Sequence, residues 1–149
     1  MTWPAAITLA IAVLGAVLGM LNTWNSINDR RVRIRVVPKW SIAPGFSGMA
    51  IEVVNLSAFA ITISEIGFTI GRSRGPLPRR APIPGQMFVD GTDLPIKLDR
   101  HGSFSGTFYT NGLEDLDIGK AYALTTSGVI RYGKSPALKQ WIAGLKRGA

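Results

Sequence analysis

Cysteine is absent from the sequence and histidine occurs once, at His101. The lack of cysteine excludes disulfides, thiol nucleophiles, iron–sulfur clusters and lipoprotein-type modification. A histidine metal cluster or a serine–histidine triad would depend on His101 alone. This residue lies in Asp99-Arg-His-Gly-Ser103, which is typical of a turn between strands. We therefore expect His101 to be structural.

Motifs for catalysis are also missing. The sequence has no phosphate-binding glycine motif, no zinc-protease helix signature and no nucleophile elbow. Carboxylate residues cluster in two stretches, Asp90-Gly-Thr-Asp93 and Glu114-Asp115-Leu-Asp117, and neither matches a calcium-binding EF-hand loop. We expect both stretches to be solvated loops, with a cation site as the alternative. The sequence predicts a protein that is not an enzyme and has no cofactor or metal.

Acidic residues are scarce, with nine Asp and Glu against seventeen Lys and Arg, for a net charge of +8. The positive residues form three groups, at 30–39, 72–80 and 131–147, whereas residues 86–120 lean acidic. The predicted domain is therefore electrically polar.

Charge is missing altogether from the first 28 residues, and residues 5–21 are apolar or small except for Thr8. The stretch from Trp3 to Trp24 would span roughly 30 Å as a helix, which matches a hydrocarbon core. We predict a single transmembrane anchor over residues 1–24, with a cleaved signal peptide as the alternative. The residues expected at the membrane interface are Trp3, Trp24, Arg30 and Arg31.

Arginines follow the apolar segment and none precede it. The positive-inside rule then puts the N-terminus outside and the rest of the chain in the cytoplasm. Gly15 and Gly19 form a G-x-x-x-G step, with Ala12 and Ala16 beside it, so this helix face could pack against a neighbour. The alternative is that these small residues simply face lipid.

A polar neck is predicted at residues 25–30, followed by a β domain at 31–134. Strict alternation at 31–36 predicts a strand, as do the Ile-, Val-, Phe- and Thr-rich stretches at 49–56 and 59–70. The weaker strand candidates are 86–89, 94–98, 103–110, 121–126 and 129–132. Seven or eight short strands favour an antiparallel β-sandwich of immunoglobulin-like size, with a small barrel as the alternative.

The last segment, 135–149, is predicted to be a basic amphipathic helix. Ser135 and Pro136 have the residue types of an N-cap and first helical position. The apolar positions that follow at helical spacing are Leu138, Trp141, Ile142 and Leu145. These side chains would either cover the sandwich, which we favour, or lie at a membrane surface.

Two stretches, Ile51-Glu-Val-Val-Asn-Leu-Ser57 and Tyr132-Gly-Lys-Ser-Pro-Ala-Leu138, resemble small bacterial and prophage-encoded hypothetical proteins with an N-terminal anchor and a β domain. The resemblance implies no activity. It implies a bacterial or phage origin, and hence a bacterial inner-membrane or phage-associated location.

A Pro- and Gly-rich segment at 71–80 carries the predicted contacts for an anion or a partner, namely Arg72, Arg74, Arg79 and Arg80. Because no aromatic side chain accompanies these arginines, sequence-specific nucleic-acid binding is not expected. A solvated loop is the plain alternative.

The hypothesis from sequence is a non-enzymatic, single-pass membrane protein that serves as an interaction or structural subunit of a homo-oligomer or a larger membrane complex. The bilayer, anionic lipids and protein partners, including a second copy of the chain, are the expected partners. The alternative is a membrane-tethered sensor whose basic loop binds a nucleotide or a lipid headgroup.

Overall fold

The computed structural model of the chain describes residues 2–43, 46–71, 78–110, 112–113 and 116–148, with all their side chains except those of residues 43, 46 and 146–148. The chain divides into two compact units, Met1–Arg31 and Val32–Ala149.

The first unit is one helix, α1, from Trp3 to Asp29. A proline in its first turn is compatible with helix initiation, and its interior is rich in Ala, Leu, Ile and Val with no further proline. The helix continues through residues 25–29, where the sequence suggested a polar neck, and none of its 27 residues is buried. At ~1.5 Å per residue, α1 is about 40 Å long.

The described part of the second unit contains eight strands in two antiparallel sheets. The first sheet has the order β1-β2-β6, and its strands are Ile34–Ala43, Phe46–Asn55 and Ser103–Phe108. The second sheet comprises β3 Ile61–Ile70, β4 Arg79–Pro82, β5 Ile96–Leu98, β7 Ile118–Thr125 and β8 Ile130–Gly133. Its order is β4-β3-β7-β8, and β5 also pairs with β3.

The two sheets share one hydrophobic core, to which both sheets contribute buried apolar side chains. Val36, Ile51 and Val53 contribute from the first sheet. The Phe68 ring of β3 and the Phe108 ring of β6 meet edge to face across the sheets, with centroids 5.5 Å apart. The mainly β prediction is confirmed.

A second helix, α2, runs from Pro136 to Gly148, which confirms the predicted short C-terminal helix. The backbone N–H of Leu138 donates to Ser135 Oγ at 3.0 Å, so Ser135 caps the helix. Leu138 and Trp141 are buried, and the Trp141 ring lies 5.5 Å from Phe68 and 6.5 Å from Phe108. Helix α2 thus completes the core of the β domain.

A buried asparagine, Asn55, ties the end of β2 to two loops. Its Nδ2 donates to the carbonyl oxygens of Phe59, Leu98 and Asp99 at 2.8, 3.2 and 2.9 Å. Its Oδ1 accepts from the Ser57 backbone N–H at 2.8 Å. Asn55 therefore satisfies backbone groups that burial would otherwise leave without partners.

One strand prediction and one loop prediction were wrong. Residues 86–89 form a 3-10 turn at Gly85–Met87 and a single bridge from Phe88 to Phe108, because Pro84 and Gly85 favour a turn there. Conversely, Arg79 and Arg80 were expected to end a loop at 71–80, and they begin the edge strand β4 along β3. An edge strand tolerates a proline because one of its sides needs no donor.

Candidate functional site

Helix α1 has an apolar surface along most of its length. Its most apolar window of 18 residues has a mean hydropathy of 2.2 and is fully exposed within the unit, so length and composition are sufficient to cross a membrane. The hydroxyl groups of Thr8 and Thr23 donate to the carbonyls of Pro4 and Gly19 at 3.0 and 2.9 Å, which satisfies them inside the helix. Trp3 and Trp24, predicted at the two interfaces, are 81% and 65% exposed.

The predicted packing face of α1 is open. A Cβ atom added at Gly15 or Gly19 would meet nothing within 4 Å, and Ala12 and Ala16 are also exposed. A shallow groove of about 500 Å³ lies along a different face, between Ala6 and Val17. The sequence pattern had not singled out that second face.

The predicted arginine contacts fall in different surroundings. Arg72 and Arg74 lie outside the described residues. Arg79 and Arg80 are exposed on β4, and Arg80 Nη1 lies 3.9 Å from Glu65 Oε1. The Arg80 guanidinium also lies 5.7 Å from the centroid of the Tyr122 ring. Arg80 is therefore engaged by neighbours within the domain.

Tyr122, Glu65 and Arg80 form a cluster that joins β7, β3 and β4. The buried Tyr122 hydroxyl donates to Glu65 Oε1. Burial raises the pKa of the Tyr122 phenol well above its ordinary value, and the hydrogen bond to Glu65 adds to the shift. The phenol is protonated at neutral pH and acts as a hydrogen-bond donor to Glu65. The cluster braces three strands.

His101, Asp90, Asp93 and Asp117 lie at the surface. His101 lies in the turn between β5 and β6 with a φ of 58°, and its Nε2 accepts from Arg100 Nε at 3.1 Å. Asp90 Oδ1 accepts from the Thr92 backbone N–H at 3.4 Å, as in an Asx turn, and Asp93 is also exposed. Glu114 and Asp115 lie outside the described residues. No group of three His, Cys, Asp or Glu able to hold a metal occurs among the residues that the structure describes.

Helix α2 and sheet residues form a groove that the sequence did not predict. Leu138 and Trp141 pack into the core, while Ile142 and Leu145 are half-buried against it. Between α2 and β7 lies a groove of about 300 Å³. Its lining includes Lys120, Lys134, Ser135, Leu138, Lys139 and Ile142.

The three lysines of this groove belong to different elements. Lys120 is on β7, Lys134 lies between β8 and α2, and Lys139 is on α2. In the sequence, Lys134 and Lys139 belong to the C-terminal basic group, whereas Lys120 lies in the acidic stretch. No spacing rule would have grouped them, because the pairing of β7 with β8 brings Lys120 close to Lys134 and the placement of α2 adds Lys139.

The two stretches singled out in the sequence, residues 51–57 and 132–138, have structural roles in the fold. The first ends at Asn55 and Ser57, whose hydrogen bonds fix the loop after β2. In the second, Gly133 packs so closely on the Val36 carbonyl that a side chain would collide with it, and Ser135 caps α2. Comparison of the chain with models of known protein families, with curated proteins and with solved structures found no match.

Proposed function

We propose that this protein is a non-enzymatic, single-pass membrane protein, located in a bacterial inner membrane or associated with a phage, that presents its β domain as an interaction or structural subunit. The observation that carries the proposal is α1, an apolar helix of 27 residues with none buried. Apolar surface costs about 25 cal/mol per Å² in water, so an uncovered helix of this kind is stable only inside a bilayer or against partners.

The charge distribution supports one orientation. Arg30 and Arg31 directly follow α1, and Arg33 and Arg35 come next, whereas no charged side chain precedes Asp29. Because cytoplasmic flanks are enriched in Lys and Arg, this distribution supports a β domain in the cytoplasm and an N-terminus outside.

An interaction role is supported by apolar side chains that the domain leaves exposed. Trp40 and Ile42, near the far end of β1, are 43% and 83% exposed, although they continue the alternation that buries Ile34 and Val36. Aromatic and aliphatic side chains of this kind are typical of the centre of protein interfaces. The open face around Gly15 and Gly19 supports a second contact within the bilayer.

Membrane insertion is tested by alkaline carbonate extraction of the full chain. We expect the wild-type protein to stay in the membrane pellet, and Val13→Arg to shift it to the supernatant, since arginine at a helix centre costs about 3 kcal/mol on insertion scales. Asn25→Arg, at the polar end of α1, is the matched control and should stay in the pellet. A wild-type protein released by carbonate would contradict the proposal.

The orientation and the signal-peptide alternative need two further measurements. Protease added to intact cells or inverted vesicles should digest the β domain only in the inverted vesicles. N-terminal sequencing should find α1 in the mature protein. A mature chain that begins after α1, with the domain outside, would establish the signal-peptide alternative.

Helix packing is tested by Gly15→Leu with Gly19→Leu, which should reduce the size of detergent-extracted assemblies. The matched control is Ala6→Leu with Ala10→Leu on the other face. Assemblies of unchanged size and composition in the glycine variant would contradict a packing role for this face.

The second candidate function is a membrane-tethered sensor of an anionic ligand. The specific observation that favours it is the lysine-lined groove beside α2. This groove is a better candidate for the ligand site than Arg80 of the basic segment, because Arg80 is paired with Glu65. If the basic segment binds the ligand, as the sequence suggested, replacing Arg72, Arg74, Arg79 and Arg80 with serine should abolish thermal stabilisation by an added nucleotide.

A further inference from the structure

The groove between α2 and β7 combines two chemical characters. Leu138 and Ile142 of α2 give it an apolar wall, and Lys120, Lys134 and Lys139 also line it. Its volume of about 300 Å³ lies at the lower end of the ~300–1,000 Å³ found for small-molecule sites. The groove is therefore large enough for a small charged headgroup and the first part of an apolar chain.

The positive charge of the groove is not neutralised by the described acidic side chains. The ion pairs seen among the described residues join Lys39 to Glu52 and Arg80 to Glu65, and neither includes a groove lysine. The first turn of α2 contains no acidic residue, although a helix N-terminus normally favours one. Three lysines without an ion-pair partner among the described residues and the positive end of a helix dipole therefore lie at one small groove.

One of these lysines is held in place by an aromatic ring. Lys120 Nζ lies 5.9 Å from the centroid of the Tyr132 ring, a cation–π contact that restrains the ammonium group without neutralising it. Tyr132 in turn packs against Tyr122, with ring centroids 6.5 Å apart. A cation–π contact of this kind leaves the charge of Lys120 available to an anion.

We infer that the groove binds an anionic phospholipid, with the lipid phosphate held by Lys120, Lys134 and Lys139 and the first chain methylenes against Leu138 and Ile142. Charge complementarity and the apolar wall favour this ligand over a free anion, because a free anion has no apolar chain to bury against that wall. An acidic protein partner would need about 800 Å² of surface, far more than this groove offers. The inference rests on the proposed membrane attachment, which keeps the domain where lipid is abundant.

The test uses the full chain in an uncharged detergent, with dihexanoyl phosphatidylglycerol as the probe. Binding is measured by native mass spectrometry, and the thermal midpoint of the β domain is measured alongside. At a lipid concentration tenfold above Kd, the midpoint should rise by roughly 5 °C. Dihexanoyl phosphatidylcholine, inorganic phosphate and a polyglutamate peptide are the comparison ligands.

Two charge variants separate a site from general electrostatic attraction. Replacing Lys120, Lys134 and Lys139 with glutamine should weaken phosphatidylglycerol binding on the order of 100-fold, if each ammonium contributes about as much as at a lipid surface. The matched control replaces Lys97, Arg100 and Arg131 with glutamine. These residues are exposed elsewhere, the loss of charge is the same, and binding should change less than about threefold.

A third variant tests the apolar wall. Ile142→Ser should weaken binding of phosphatidylglycerol about tenfold and leave any weak phosphate binding unchanged, since only the lipid has a chain to bury. Because Ile142 is only half-buried, this variant is expected to stay folded, which the thermal midpoint without ligand checks.

Four results would overturn the inference. These are an equal loss in both charge variants, an equal effect of phosphatidylcholine, full stabilisation by phosphate alone, or binding of polyglutamate but not of lipid. Carbonate extraction reports on the proposed function separately. If carbonate releases the protein but its groove still binds phosphatidylglycerol, the anchor is refuted and the lipid site is supported. If the protein stays in the membrane but does not bind the lipid, the lipid site is refuted and the anchor is supported.

Discussion

Replacing Asn55 with alanine should strongly destabilise the β domain. The asparagine is fully buried, its two amide hydrogens serve the carbonyls of Phe59, Leu98 and Asp99, and its oxygen serves the Ser57 N–H. Since Nδ2 carries two hydrogens, the side chain supplies about three full hydrogen bonds, each with a net contribution of roughly 1 kcal/mol.

Truncation to alanine leaves these backbone groups without their partner inside the fold. A stranded buried group costs roughly 1–3 kcal/mol, so we expect Asn55→Ala to lower the free energy of unfolding by about 3–5 kcal/mol. A domain typically has only about 5–15 kcal/mol of stability in total, so this single change would remove a large fraction of it.

The assay is urea denaturation of the full chain in uncharged detergent, followed by tryptophan fluorescence. Gln86→Ala is the matched control, because it removes an exposed amide and should change stability by less than about 0.5 kcal/mol. A loss below about 1 kcal/mol for Asn55→Ala would refute the reasoning, and it would mean that water replaces the amide at this site.

Three further changes have defined outcomes. Because the pKa of Tyr122 is raised on folding, the folded state holds the proton more tightly, so its stabilising contribution is complete below about pH 10 and is lost as the pH rises beyond that value. Tyr122→Phe should flatten that alkaline loss in urea titrations repeated at several pH values, and an unchanged slope would contradict the shift. Gly133→Ala would drive a methyl group into the Val36 carbonyl and should cost about 1–3 kcal/mol, whereas Gly144→Ala on the open side of α2 should stabilise by roughly 0.5–1 kcal/mol. Trp141→Ala should cost about 3–5 kcal/mol in the same urea assay, because its ring fills the core between the two sheets, and a cost below 1 kcal/mol would show that α2 is only loosely attached.

The two helices could be predicted from the sequence because each is defined by local information. Helix α1 follows from an unbroken apolar run, and α2 from the cap at Ser135 and the spacing of Leu138, Trp141, Ile142 and Leu145. Most strands were also predictable, since alternation and β-branched side chains indicate a strand with one buried face. These features involve residues that are close to one another in the sequence.

The tertiary structure decided everything that depends on strand register. Segment Arg79–Pro82 has no strand pattern of its own and becomes β4 only because β3 offers it an edge. Tyr122 meets Glu65 across 57 residues of sequence. The lysine groove arises in the same way, from the pairing of β7 with β8 and the placement of α2.

The sequence by itself therefore determined an apolar helix, a mainly β domain and a capped C-terminal helix. It did not determine which charged residues lie close together in space. Side chains from separate strands meet only after the chain has folded and the strands have paired in a defined register. The paired Arg80 and the grouped Lys120, Lys134 and Lys139 show the consequence. Local composition identified the basic segments, and only the packing of the sheets and α2 turned three scattered lysines into one groove.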